Sequence, residues 1–62
     1  MDPDANLKEQ REIVKDLIDG NDYDTDEWLA MANRLADLVE ALDGWLSNGG
    51  FLPLAWRQGG AR

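Results

Sequence analysis

Trp28-Leu29-Ala30-Met31-Ala32-Asn33-Arg34-Leu35-Ala36-Asp37-Leu38-Val39-Glu40-Ala41-Leu42-Asp43-Gly44-Trp45-Leu46-Ser47 is the longest patterned stretch in the chain. Its apolar positions fall at 28, 31/32, 35, 38/39, 42 and 45/46, steps of three and four that line one side of an α-helix as a near-heptad. No proline or glycine interrupts it before Gly44. That residue lowers helix propensity by about 1 kcal/mol, but the apolar stripe continues past it, so the helix is expected to reach Ser47. Asn48-Gly49-Gly50 then ends it. At the other end Asp24 and Glu27 have capping-box spacing, and Asp26 and Glu27 put negative charge where the helix dipole favours it. The start is therefore expected at about Thr25.

On the N-terminal side, Asn6 and Glu9 repeat the capping-box spacing and predict a first helix over about Leu7 to Asp19. Leu7, Val14, Leu17 and Ile18 form its apolar stripe, with Ile13 beside it and Gln10 or Arg11 filling the missing turn. Lys8 with Glu12 and Lys15 with Asp19 have the i,i+4 spacing of ion pairs. Gly20, at the start of Gly20-Asn21-Asp22, is expected to stop the helix in a left-handed conformation. On the C-terminal side, Phe51-Leu52-Pro53-Leu54-Ala55-Trp56 is the second densest apolar cluster. Pro53 biases Leu52 toward extended backbone, so this segment is expected to be an ordered strap rather than a third helix.

A connection this short favours an antiparallel hairpin. At 1.5 Å per residue the two helices would measure roughly 20 and 34 Å, leaving an overhang of about 15 Å. Counting back from the loop sets Leu7 opposite the region of Asp37 and leaves Val39, Leu42, Trp45 and Leu46 without a partner on the first helix. The strap folding back, or a second copy of the chain, has to cover them. The expectation is an all-α fold: an antiparallel two-helix hairpin, short helix about 7–19 and long helix about 25–47, with the strap packing on the long helix. It forms a single small domain with residues 1–5 and 57–62 frayed.

Composition narrows the chemistry. The chain has 62 residues, and 13 Asp and Glu against 6 Lys and Arg give a net charge of −7. A domain this small buries only about 60% of the surface its unfolded chain exposes, so a large cofactor cavity is excluded and a monomer is marginally stable. With no Cys and no His there is no disulfide, no thiolate metal site and no imidazole base. No cofactor and no metal are expected. The net charge disfavours nucleic-acid phosphate. The longest apolar run, Phe51 to Trp56, is far short of the about 20 residues a bilayer span needs, and the N-terminus lacks the basic segment of an export signal. A cytoplasmic location with no membrane partner is expected.

The candidate motifs have simpler readings. Asp22, Asp24 and Asp26 alternate as at the start of an EF-hand, but Glu27 stands where the loop needs Gly and Asn33 where it needs a bidentate Glu. Helix capping accounts for Asp24, Asp26 and Glu27. Asp37 with Glu40, and Glu40 with Asp43, are spaced for acid–base work, yet no nucleophile or phosphate loop accompanies them, so they read as a solvated face and no catalytic residue is assigned. Arg34, the single cation of the long helix, is expected to pair with Asp37. Trp28, Leu35, Val39, Leu42, Trp45 and Leu46 are the candidate core or interface residues, and Phe51, Leu52, Leu54 and Trp56 those of the strap.

Asp-Pro-Asp-Ala-Asn-Leu at 2 to 7, Ala-Leu-Asp-Gly-Trp-Leu-Ser-Asn-Gly-Gly-Phe-Leu-Pro at 41 to 53 and Trp56 together resemble small proteins of actinobacteria and their bacteriophages. That mycobacteriophage-like family shares a Leu-Asp-x-Trp-Leu-x-x-Gly-Gly-Phe-Leu-Pro-x-x-Trp ending. The resemblance implies a phage or actinobacterial source and a host-cell cytoplasmic setting, and it brings no activity or site residues with it. The functional expectation is a small acidic, non-enzymatic helical protein acting through protein–protein contact. It is expected to be a homo-oligomer, a dimer being favoured, joined through the long-helix stripe. The alternative is a host-directed phage binding module that engages a host protein with its acidic face or its strap.

Overall fold

The computed structural model describes residues 1–20 and 22–59; Asn21 of the interhelical punctuation and residues 60–62 of the expected frayed end lie outside them. Two long helices and a short one make up the fold: α1 (Pro3–Asp19), α2 (Thr25–Ser47) and α3 (Leu54–Gly59), with no strand among the described residues. The limits of α2 are those its sequence predicts. Asp24 sits in extended backbone and its carboxylate accepts from the Glu27 N–H at 2.8 Å, satisfying a donor the first turn cannot use internally.

The end of α2 follows from its glycines. Gly49 adopts φ +88° and donates to the Leu46 carbonyl at 3.1 Å, while Gly50 N–H reaches the Trp45 carbonyl at 2.9 Å. This pair of bonds is the Schellman arrangement, in which a left-handed residue past the cap lets the chain turn back and satisfies the last carbonyls. Gly20, at the end of α1, is left-handed too, at φ +67°.

The start of α1 corrects the expectation. Its N-cap is Asp2 and not Asn6: the Asp2 carboxylate accepts from the Asp4 and Ala5 N–H groups at 3.0 and 3.2 Å, and Pro3 occupies the first turn, where its missing donor costs nothing. Residues 3–5 are thus helical rather than frayed. Asn6 is buried, donating from Nδ2 to the Leu38 carbonyl at 3.0 Å and accepting from Gln10 Nε2 at 2.6 Å. A carboxamide can do both at once, so the buried polar group is satisfied on donor and acceptor sides.

The Asn6–Leu38 bond also displays the register of an antiparallel hairpin, and it agrees with counting back from the loop. What changes is the length of α1. One turn more at its N-terminus, by register, brings Pro3 level with the region of Leu42, and Leu42 is the most buried leucine at 3% exposure, with Leu7 and Leu38 close behind. The uncovered overhang is correspondingly shorter.

The α1 stripe is corrected too. Val14 and Ile18 are exposed, Ile18 at 78%, whereas Asn6, Gln10, Ile13 and Leu17 are buried or half-buried. The inward face is made by Pro3, Asn6, Leu7, Gln10, Ile13 and Leu17, so Leu7 and Leu17 of the expected stripe hold and Asn6 and Gln10 take the remaining inward turns. The face is rotated away from Val14 and Ile18 because Asn6 and Gln10 satisfy each other and the backbone, and so can be buried at little cost.

After Gly50 the chain does not stay extended. Pro53 is fully buried, its carbonyl accepts from Trp56 and Arg57, and α3 follows. Leu52 precedes this proline outside the helix, as its restricted backbone requires; the expected strap in place of a third helix is corrected, because a proline that ends an extended segment also suits the start of a helix, where its missing donor costs nothing. The Leu54 N–H, a first-turn donor with no partner in α3, is taken up by the Asp4 carboxylate of α1 at 2.6 Å. Chain ends fifty positions apart are joined there, with the buried Pro3 and Pro53 each one residue before the bonded pair. Arg57 to Gly59, expected to fray, belong to α3.

Candidate functional site

Arg34 leaves its helical neighbour and crosses to α1. Its Nε and terminal nitrogen donate to the two carboxylate oxygens of Glu9 at 2.5 and 2.8 Å, a bidentate pair that replaces the expected one with Asp37. The reason is geometric: a carboxylate on the facing helix offers both oxygens to the planar guanidinium. The hydrogen bonds from Arg34, assisted by its charge and opposed by some desolvation, hold the Glu9 carboxyl below its ordinary 4.5, and the same bonds push Arg34 up.

Because the folded value of Glu9 is the lower one, the stabilisation is fully present above its unfolded value and is lost as pH falls through the folded value. Replacing Glu9→Gln is expected to lower the urea midpoint slightly at neutral pH and to flatten the acid limb of the stability profile below about pH 4.5. An unchanged acid limb in urea titrations would remove the pair from the stability of the hairpin. Within α1, neither Lys8–Glu12 nor Lys15–Asp19 closes to ion-pair distance; Arg34–Glu9 is the one such pair among the described residues.

The six candidate stripe residues divide. Leu42 is core, Leu35 is half-buried, and Trp28 is half-buried against Tyr23, edge to face at 5.8 Å between ring centroids. Trp45 and Leu46 are half-buried. The Trp45 indole lies over Gly50, donates from Nε1 to the Phe51 carbonyl at 3.0 Å and meets the Phe51 ring edge to face at 5.4 Å. Val39 stands apart, 49% exposed in the middle of the long helix. It belongs to an open apolar groove of about 670 Å³ formed with Leu17, Ala32, Leu35 and Ala36 and edged by Glu40 and Asp43. The four strap residues, Phe51, Leu52, Leu54 and Trp56, are all exposed, although the backbone at Phe51 and Leu54 is tied by the bonds to Trp45 and Asp4.

A second open groove, of about 640 Å³, was not anticipated from the sequence. Leu7, Leu54 and Ala55 give it an apolar floor, and Lys8, Arg11 and Lys15 border it together with Asp4 and Glu12. Steps of three and four put the three cations along one side of α1. That spacing is legible in the sequence, although it also sets Lys8 and Lys15 against carboxylates of their own helix. Of the calcium-like carboxylates, Asp24 is engaged in capping α2. No described helix is long and apolar enough to cross a membrane. Compared with known proteins, the chain matches no protein-family model, no curated protein and no solved structure.

Proposed function

We propose that this is a small, acidic, non-enzymatic helical protein that acts through protein–protein contact and self-associates through the apolar stripe of α2. One observation carries the reading: Val39, with Leu35, Ala32 and Ala36 around it, is left open in the middle of a helix whose neighbouring Leu38 and Leu42 are buried. Exposed contiguous apolar surface on a small monomer marks an interaction site. In this reading the segment after Gly50 packs as a cover on the far end of α2, supported by the Trp45–Phe51 bond and ring contact. Phage or actinobacterial origin and a cytoplasmic setting belong to the same proposal.

Sedimentation or light scattering at micromolar concentration tests it. The mass of the wild type is expected to rise above the 7.0 kDa of one chain. Val39→Asp, which charges the open face without cutting a cavity into the core, is expected to keep the helical circular dichroism and abolish association. A folded wild type that stays monomeric would overturn the reading.

A host-directed binding module is the second reading. It is favoured by the exposed Phe51, Leu52, Leu54 and Trp56 on a tied backbone, since a pre-ordered apolar segment loses less entropy on docking.

A further inference from the structure

The two grooves carry opposite charge at their edges. Glu40 and Asp43 border the α2 groove, while three of the chain's six cations, Lys8, Arg11 and Lys15, border the α1/α3 groove. Asp4, which accepts from the Leu54 N–H, and Glu12 also border the latter, so its edge carries three positive charges against two negative, whereas the α2 groove has acids alone.

The two surfaces cannot meet within one molecule. At 100° per residue Leu17 lies roughly 160–180° around α1 from Lys15 and Lys8 and about 120° from Arg11, so the two charged edges open on different sides of the same helix. Nor do two α2 grooves answer each other's charge. Arg34, the single cation of α2, is already held by Glu9 of its own chain, so a contact between two such faces would set carboxylates around an apolar patch with no cation to meet them. Like-charge juxtaposition of that kind costs several kcal/mol at a contact.

We propose that the occupant of the basic-edged α1/α3 groove is the acidic-edged α2 face of a second copy of this chain. Lys8, Arg11 and Lys15 of one copy face Glu40 and Asp43 of the next, while Val39 and Leu35 lie against Leu7, Leu54 and Ala55. The inference rests on the self-association reading above and changes its symmetry. Two different surfaces joined head to tail give a ring if the rotation closes and a growing chain if it does not, rather than a two-fold dimer.

Charge exchange between full-length variants tests it. The basic edge is reversed by Lys8→Glu, Arg11→Glu and Lys15→Glu, and the acidic edge by Glu40→Lys and Asp43→Lys; all five side chains are exposed, so no core group is disturbed. Each variant alone is expected to associate about tenfold more weakly than the wild type, or worse, and an equimolar mixture to regain the wild-type mass by sedimentation. Circular dichroism on each variant verifies that it is helical before mixing.

A basic-edge variant that associates as the wild type does, or a mixture that stays monomeric, overturns the head-to-tail contact while leaving self-association standing. A wild type that is monomeric at every concentration overturns self-association itself.

Discussion

Leu42→Ala is expected to unfold the chain at ambient temperature or to lower its melting temperature by roughly 10 °C or more. Leu42 is 3% exposed, and among the described residues Leu7 and Leu38 are the other buried leucines, so one truncation removes a third of that set. Truncating a buried leucine costs about 2–5 kcal/mol, lost transfer energy plus the cavity left behind. A domain of this length has roughly 3–9 kcal/mol in total. The loss is therefore comparable with everything that holds the molecule folded. Val39→Ala is the control: at 49% exposure its truncation leaves no enclosed cavity, and in dilute solution it is expected to change the melting temperature little. Equal effects of the two substitutions would contradict the inward placement of Leu42.

Gly50→Ala is expected to expel the Trp45 indole while leaving the α1–α2 hairpin folded. A Cβ at Gly50 would come within 2.3 Å of Trp45 Cε2 and Nε1, closer than atoms approach, and the atoms it meets belong to a rigid bicyclic ring. The indole has to swing away, giving up its bond to the Phe51 carbonyl and the edge-to-face contact with the Phe51 ring. Overpacking of this kind costs about 1–3 kcal/mol, and the lost hydrogen bond about 1 kcal/mol more. The readouts are the Trp45 indole N–H resonance, expected to move to its solvent-exposed position, and a lowered urea midpoint. Gly49→Ala separates the causes. Gly49 needs glycine for its φ of +88°, and nothing lies within 4 Å of an added Cβ, so that variant is expected to lose about 1–2 kcal/mol with the indole resonance in place. An unmoved Trp45 resonance in Gly50→Ala would show that the ring does not lie over the turn.

Legibility from sequence differed from element to element. Thr25 to Ser47 could be read to the residue because its signals are local: Asp24 caps Glu27 three positions on, Gly49 and Gly50 bond back within five, and the apolar stripe is continuous. The start of α1 was equally local but was read one turn late. Asp2-Pro3 is a cap followed by a first-turn proline, and the competing Asn6–Glu9 spacing imitated a capping box while Asn6 was needed elsewhere. The pairing of Arg34 with Glu9 spans 25 positions and that of Leu54 with Asp4 spans 50, and no spacing rule reaches that far.

The opposed grooves belong to the same category. Lys8, Arg11 and Lys15 are visibly in line, but that the line borders an apolar floor depends on α3 arriving beside α1 from the far end of the chain.

Helical class, the limits of the long helix and the hairpin register come from interactions within a turn or two and from the length of one connection, and these are written in residue order. Which side of α1 faces inward, which carboxylate holds Arg34, and which apolar surface stays open were decided when helices met. Those outcomes depend on distances between atoms that the chain brings together only by folding.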